Sequence, residues 1–234
     1  TGIAQADGSI RMRVRTVPAE WPVFLETEGE ARLPDNKPLY DGLFTLTVLS
    51  DPGAGAVVSE KPLLVAKGDF AATNERLAIE EWRAEIGFSA DPYIVTGQAT
   101  IDTGPNPEFL LLADGQQIDM DRLSGEEAAA DGAAVAVPLG ERLAIVNAMI
   151  DRLPPPPLPG RISLTLPAIV AGDTTLREIR LEARPDGDAW LVDGFSANLP
   201  GRTTVEARGR LVSGANAGFD GTLTVASTQP SGLA

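Results

Sequence analysis

The chain has no cysteine and no histidine in its 234 residues. Those two absences remove Ser-His-Asp and Cys-His nucleophile pairs, zinc sites built on imidazole or thiolate, haem attachment and any disulfide framework. Aromatic residues are scarce at 5%, and Trp21, Trp82 and Trp190 are the only tryptophans. Positive charge is also short, with 19 basic against 33 acidic side chains and a net charge of -14. Sequence-independent binding of nucleic acid needs clustered cations to displace phosphate counterions, so nucleic acid is not an expected partner. No run approaches the roughly 18 consecutive apolar residues that cross a bilayer as a helix. The opening Thr1-Gly2-Ile3-Ala4 lacks the charged-then-apolar order of a signal peptide, and a start at Thr reads as the start of a piece of a longer chain.

What the sequence does have is period-two alternation, the mark of strands with one buried face. Ile10, Met12 and Val14 alternate with Arg11, Arg13 and Arg15. Phe44, Leu46 and Val48 alternate with Thr45 and Thr47, and similar runs occupy 161–166 and 179–184. Each run is short and bounded by Gly, Pro, Asp or Asn, the spacing of an antiparallel meander. Lys37, Lys61 and Lys67 each border Pro or Gly, which places them in loops. One segment departs from the pattern: Leu139, Leu143, Val146, Ile150 and Leu153 step by four and three, so they share one face of a helix over 139–153. Pro138 opens that helix, and the run Pro154 to Pro157 closes it and serves as a rigid spacer.

Setting aside 114–159 as an insertion exposes a repeat. Gly29-Glu30-Ala31 with Tyr40-Asp41-Gly42, Gly97-Gln98-Ala99 with Phe109-Leu110-Leu111, and Gly209-Arg210-Leu211 with Phe219-Asp220-Gly221 each read as strand, polar loop and a second strand entered by an aromatic residue. The spacing is about 67 residues, longer than one hairpin, so each unit holds several strands that stack edge to edge. The expected fold is mainly β, with curved or stacked antiparallel sheets from repeated multi-strand units and one inserted amphipathic helix. The expected organisation is a β region at 1–113 with two repeat units, the insertion at 114–159, and a β region at 160–234 with the third.

Candidate site residues are few. Arg11, Arg13 and Arg15 share one strand face, where guanidinium groups can meet lipid phosphates, although such a stripe is also an ordinary solvated face. Asp114, Asp119 and Asp121 form a local acidic group, but calcium-loop frames started at Asp114 and Asp119 reach Gly125 and Ala130 at the closing position instead of Glu. No catalytic, cofactor or metal residues are assigned, and a non-enzymatic role is expected.

The stretch Trp190-Leu191-Val192, Leu199-Pro200-Gly201-Arg202-Thr203-Thr204-Val205, Gly209-Arg210-Leu211 and Phe219-Asp220-Gly221-Thr222-Leu223 resembles the AsmA-like family of bacterial envelope proteins. Upstream, Gly68-Asp69-Phe70, Ala90-Asp91-Pro92-Tyr93 and Gln117-Ile118-Asp119-Met120-Asp121-Arg122 agree, so the likeness covers most of 20–230 through strand and turn signatures. The resemblance implies a periplasmic, β-rich segment attached to the inner membrane through a region outside this chain. It also implies a bridge-like apolar groove for lipid, with lipid or membrane-associated envelope components as partners and a role in outer-membrane biogenesis or lipid homeostasis. The alternative is a structural or adhesive β-sandwich whose apolar faces pack on each other.

Overall fold

The computed structural model describes residues 1–16, 23–49, 62–87, 92–119, 155–171, 174–212 and 218–228. The protein is mainly β, and the one helical element among these residues is a single 3₁₀ turn at Pro34–Asn36. The helix expected over 139–153 and the start of the proline spacer at Pro154 lie outside the described residues. The chain divides into two compact units, Thr1–Leu111 and Leu112–Ala234.

The first unit is a meander in which every strand pairs with the next in sequence: β1 (Gly2–Ala4), β2 (Ile10–Arg15), β3 (Val23–Arg32), β4 (Leu39–Leu49), β5 (Pro62–Thr73), β6 (Arg76–Ile86), β7 (Tyr93–Asp102) and β8 (Glu108–Gly115), the last of which crosses the unit boundary. The pairs from β1 through β7 are all antiparallel. Because directly opposed residues point to the same side of a sheet, the register sorts the unit into two faces. One carries Met12, Val14, Leu25, Phe44, Leu46, Leu64, Ala66, Phe70, Trp82, Ala84, Tyr93 and Val95, and no described residue of β1–β7 on it bears a charge. The other takes the arginines of β2, Glu26, Glu28 and Glu30 of β3, and Lys67 at the centre of β5. Lys67 is therefore a strand residue and not a loop residue: Gly68 beside it is a packing glycine inside the strand.

A β-bulge in β6 keeps this sorting intact. Ile79 pairs with Ala99 and Trp82 with Gly97, so the intervening Glu80 and Glu81 oppose a single residue of β7. Both glutamates are exposed, while Leu77, Ile79, Trp82, Ala84 and Ile86 stay on the uncharged face.

The second unit runs β10 (Gly160–Ala171), β11 (Thr174–Asp186), β12 (Ala189–Leu199), β13 (Thr203–Val212) and β14 (Gly218–Ser227) in antiparallel sequence order, with the short β9 (Ile118–Asp119) parallel to β10. β8 and β9 put strand into 114–119, a stretch read from sequence as insertion. Leu166, Ile179 and Ala197 form the buried centre, with Ile118, Leu164, Ile169, Leu176, Phe195 and Leu199 around it. A bulge residue in β12, Asp193, turns its carboxylate to Arg184 at 3.1 Å instead of joining the ladder. A second bulge, in β11, holds Glu178 at a left-handed φ of 53°, and its carboxylate accepts a 2.9 Å hydrogen bond from Asn198.

Candidate lipid-facing surface

The uncharged face of the first unit is the feature with chemical potential. A strand face sealed in a protein core is fully buried, and here Leu25, Phe44, Leu46, Val48, Leu64 and Ile86 are only half-buried. Among the described residues of this face, full burial is confined to Ala66, Phe70, Ala84, Tyr93 and Val95 on β5–β7. The two hydroxyls that β3 and β4 present on this face satisfy each other, Thr27 Oγ1 lying 2.9 Å from the Tyr40 hydroxyl. Tyr40 then meets Phe70 edge to face, with ring centroids 4.9 Å apart. The indole N–H of Trp82 is buried with no acceptor among the described residues. Such a face can take up apolar material by desolvation and offers almost no directional polar contact.

Glycines shape the same face. Gly29 and Gly42 stand opposite each other on β3 and β4, and a Cβ built on Gly29 would lie 2.1 Å from the Asp41 carbonyl oxygen. A Cβ on Gly42 would lie 2.2 Å from that of Glu28. The two backbones approach more closely than any side chain allows, and Phe70 is the next residue in the same cross-strand row. The second unit repeats the arrangement with Gly209 opposite Gly221, where the corresponding distances are 2.4 Å to the Asp220 oxygen and 2.2 Å to the Arg208 oxygen. These are the first and third glycine motifs of the sequence repeat.

The polar face is laced with ion pairs. Arg13 pairs with Glu28 at 2.6 Å and Arg15 with Glu26, so two of the three arginines read as headgroup contacts already have carboxylate partners. Their side chains point to the opposite face from Met12 and Val14. Among the described residues Arg11 makes no such pair, and it lines an open depression of about 750 Å³ with Asp7, Glu28, Glu30 and Asp41. Asp7 is held below the usual carboxylate range by hydrogen bonds from the backbone N–H and hydroxyl of Ser9. At the far end of the unit Arg76 donates to both oxygens of Asp102, at 2.5 and 3.0 Å, which lowers the Asp102 pKa and raises that of Arg76. Arg210 bridges Asp186 and Asp188 in the second unit at 3.0 and 2.8 Å.

The other sequence candidates are dispersed. Asp114 ends up on β8 and Asp119 on β9, each engaged in an interaction of its own, while Asp121 and Trp21 lie outside the described residues. Among the described residues no group of three acidic side chains is placed to hold a metal ion. Trp82 belongs to the uncharged face of the first unit and Trp190 to the second unit. Among the described residues no helix is long and apolar enough to cross a membrane. Sequence reasoning missed the facing glycine pairs, although two matching glycines in successive repeat strands were the available signal. Comparison with protein-family models, curated proteins and solved structures gave no match.

Proposed function

We propose that this chain is a non-enzymatic periplasmic segment of an AsmA-like protein that offers an apolar β face to lipid, in outer-membrane biogenesis or lipid homeostasis. The observation that carries the reading is the uncharged, half-buried face of β2–β7. Acyl chains laid on it gain about 0.8 kcal/mol for each methylene taken out of water, offset by chain ordering. Arg11, Arg13 and Arg15 lie on the opposite, charged face, so the reading rests on the apolar face and not on headgroup contact by the arginine stripe. The half-exposure of Leu25, Leu46 and Leu64 favours this reading over a sandwich with closed faces.

Native mass spectrometry with lipid extraction tests it, together with quenching of tryptophan fluorescence by bromine-labelled phospholipid. The expected result is co-purified or added phospholipid on the wild-type chain, quenched emission, and loss of both in Leu46→Glu. Absence of bound lipid together with unquenched emission would leave the face a structural surface.

A further inference from the structure

The two glycine-paired hairpins can be laid on each other residue by residue. Matching Gly29 with Gly209 and Gly42 with Gly221 also matches Glu26 with Glu206, Tyr40 with Phe219, Asp41 with Asp220, Phe44 with Leu223, Thr45 with Thr224 and Leu46 with Val225. The two hairpins differ in what lies beyond them. β4 is covered along its second edge by β5. β14 is bonded on one side only among the described residues, and Phe219, Leu223 and Val225 on its apolar side are 45%, 63% and 56% exposed. A ten-residue edge of this kind is a ready template for another strand.

We infer that the β14 edge accepts an extended peptide strand, added antiparallel, whose side-chain pattern is that of β5. The internal match specifies that pattern. Phe70 of β5 sits in the row of the Gly29–Gly42 pair and packs on Tyr40, so an aromatic residue belongs beside Gly221, next to Phe219. Gly68 lies in the row of Phe44, but the atom nearest to a Cβ built there is the Glu81 carbonyl oxygen of β6 at 2.3 Å, ahead of the Phe44 ring at 2.9 Å, so this glycine answers first to β6 and the residue beside Leu223 is left open. Ala66 faces Leu46, so a small apolar residue belongs beside Val225. On the polar side the row Glu26, Thr45, Lys67 has its counterpart in Glu206 and Thr224, so a basic residue completes it. β5 of a second copy cannot serve, since β4 and β6 already occupy both of its edges. This inference does not depend on the proposed lipid role.

The test uses the whole chain and a capped synthetic peptide with the sequence of 62–73, followed by amide hydrogen exchange across 218–227. Bound peptide is expected to slow exchange at β14, and a peptide carrying Phe70→Ala or Ala66→Glu is expected to bind about tenfold more weakly. Because a free strand pays its ordering entropy in full, a second chain carries the same peptide after residue 234 on a flexible linker, which raises its effective concentration. In that chain β14 protection should rise and fall with the same two substitutions. The inference is overturned by unchanged β14 exchange in both formats, by equal protection from a scrambled peptide, by protection at β4 or β6 instead, or by β14 pairing with itself in a dimer that the peptide does not compete away.

Discussion

The hairpins β3/β4 and β13/β14 have the same glycine pair and different neighbours. In the first, strands flank both sides, and Phe44 and Leu46 are half-buried. In the second, the matching Leu223 and Val225 stand in solvent. The difference shows that the glycine pair belongs to the hairpin itself, whereas the burial of its apolar side is supplied by the next strand.

The sharpest way to separate the two effects is to fill the glycines. Gly42→Val drives a side chain into the Glu28 carbonyl between strands held on both edges, and should cost about 3 kcal/mol or more in chemical denaturation. Gly221→Val meets a contact of the same 2.2 Å, but β14 can detach alone. That loss should appear as faster amide exchange confined to 218–227, with little change in the denaturation midpoint of the rest. Equal global losses would mean that β14 is held by more than β13.

A charge on the apolar side gives the next largest contrast. Leu46→Lys should cost about 2 kcal/mol by thermal or urea unfolding, and Leu223→Lys less than about 0.5 kcal/mol. Trp82→Phe removes a buried donor that has no acceptor among the described residues, so its loss of volume is partly repaid and the change should stay within about 1 kcal/mol, against about 3–5 kcal/mol for Trp82→Ala. The smallest effect is a pH effect in the first unit. Asp102 has its pKa lowered by Arg76, so its contribution is fully present above the unfolded carboxylate pKa and is lost as pH falls through the depressed folded value. Asp102→Asn should flatten that part of the acid limb, and a carboxyl titration of Asp102 by NMR that shows no depression would remove the effect.

Much of this was legible in the sequence, because a period of two is enforced by the pleat itself. The runs at 10–15, 44–48, 161–166 and 179–184 are all within strands, and the arginines of the first run do share a face. Their partners were not legible, since Glu26 and Glu28 are set by β2–β3 register and not by local pattern. Lys67 was misplaced because a glycine neighbour signals a loop locally, whereas Gly68 is there to admit the Glu81 carbonyl of β6 and the Phe44 ring. The apolar face was readable as alternation, but which of its residues remain accessible depends on which strands have neighbours on both sides, a property of topology alone. The exposed β14 edge illustrates this, since Leu223-Thr224-Val225 reads no differently from Leu46-Thr47-Val48.

The bulge of β6 makes one residue of that strand dispensable. With Glu80 and Glu81 opposing a single residue, removing either restores plain alternation from Ile79 to Trp82, and no side chain on either flank changes face. In the regular stretches of the ladder a one-residue deletion inverts everything downstream. The double glutamate is thus a place in the middle of a strand where the length of the gene can change by one codon without rewriting which residues meet water.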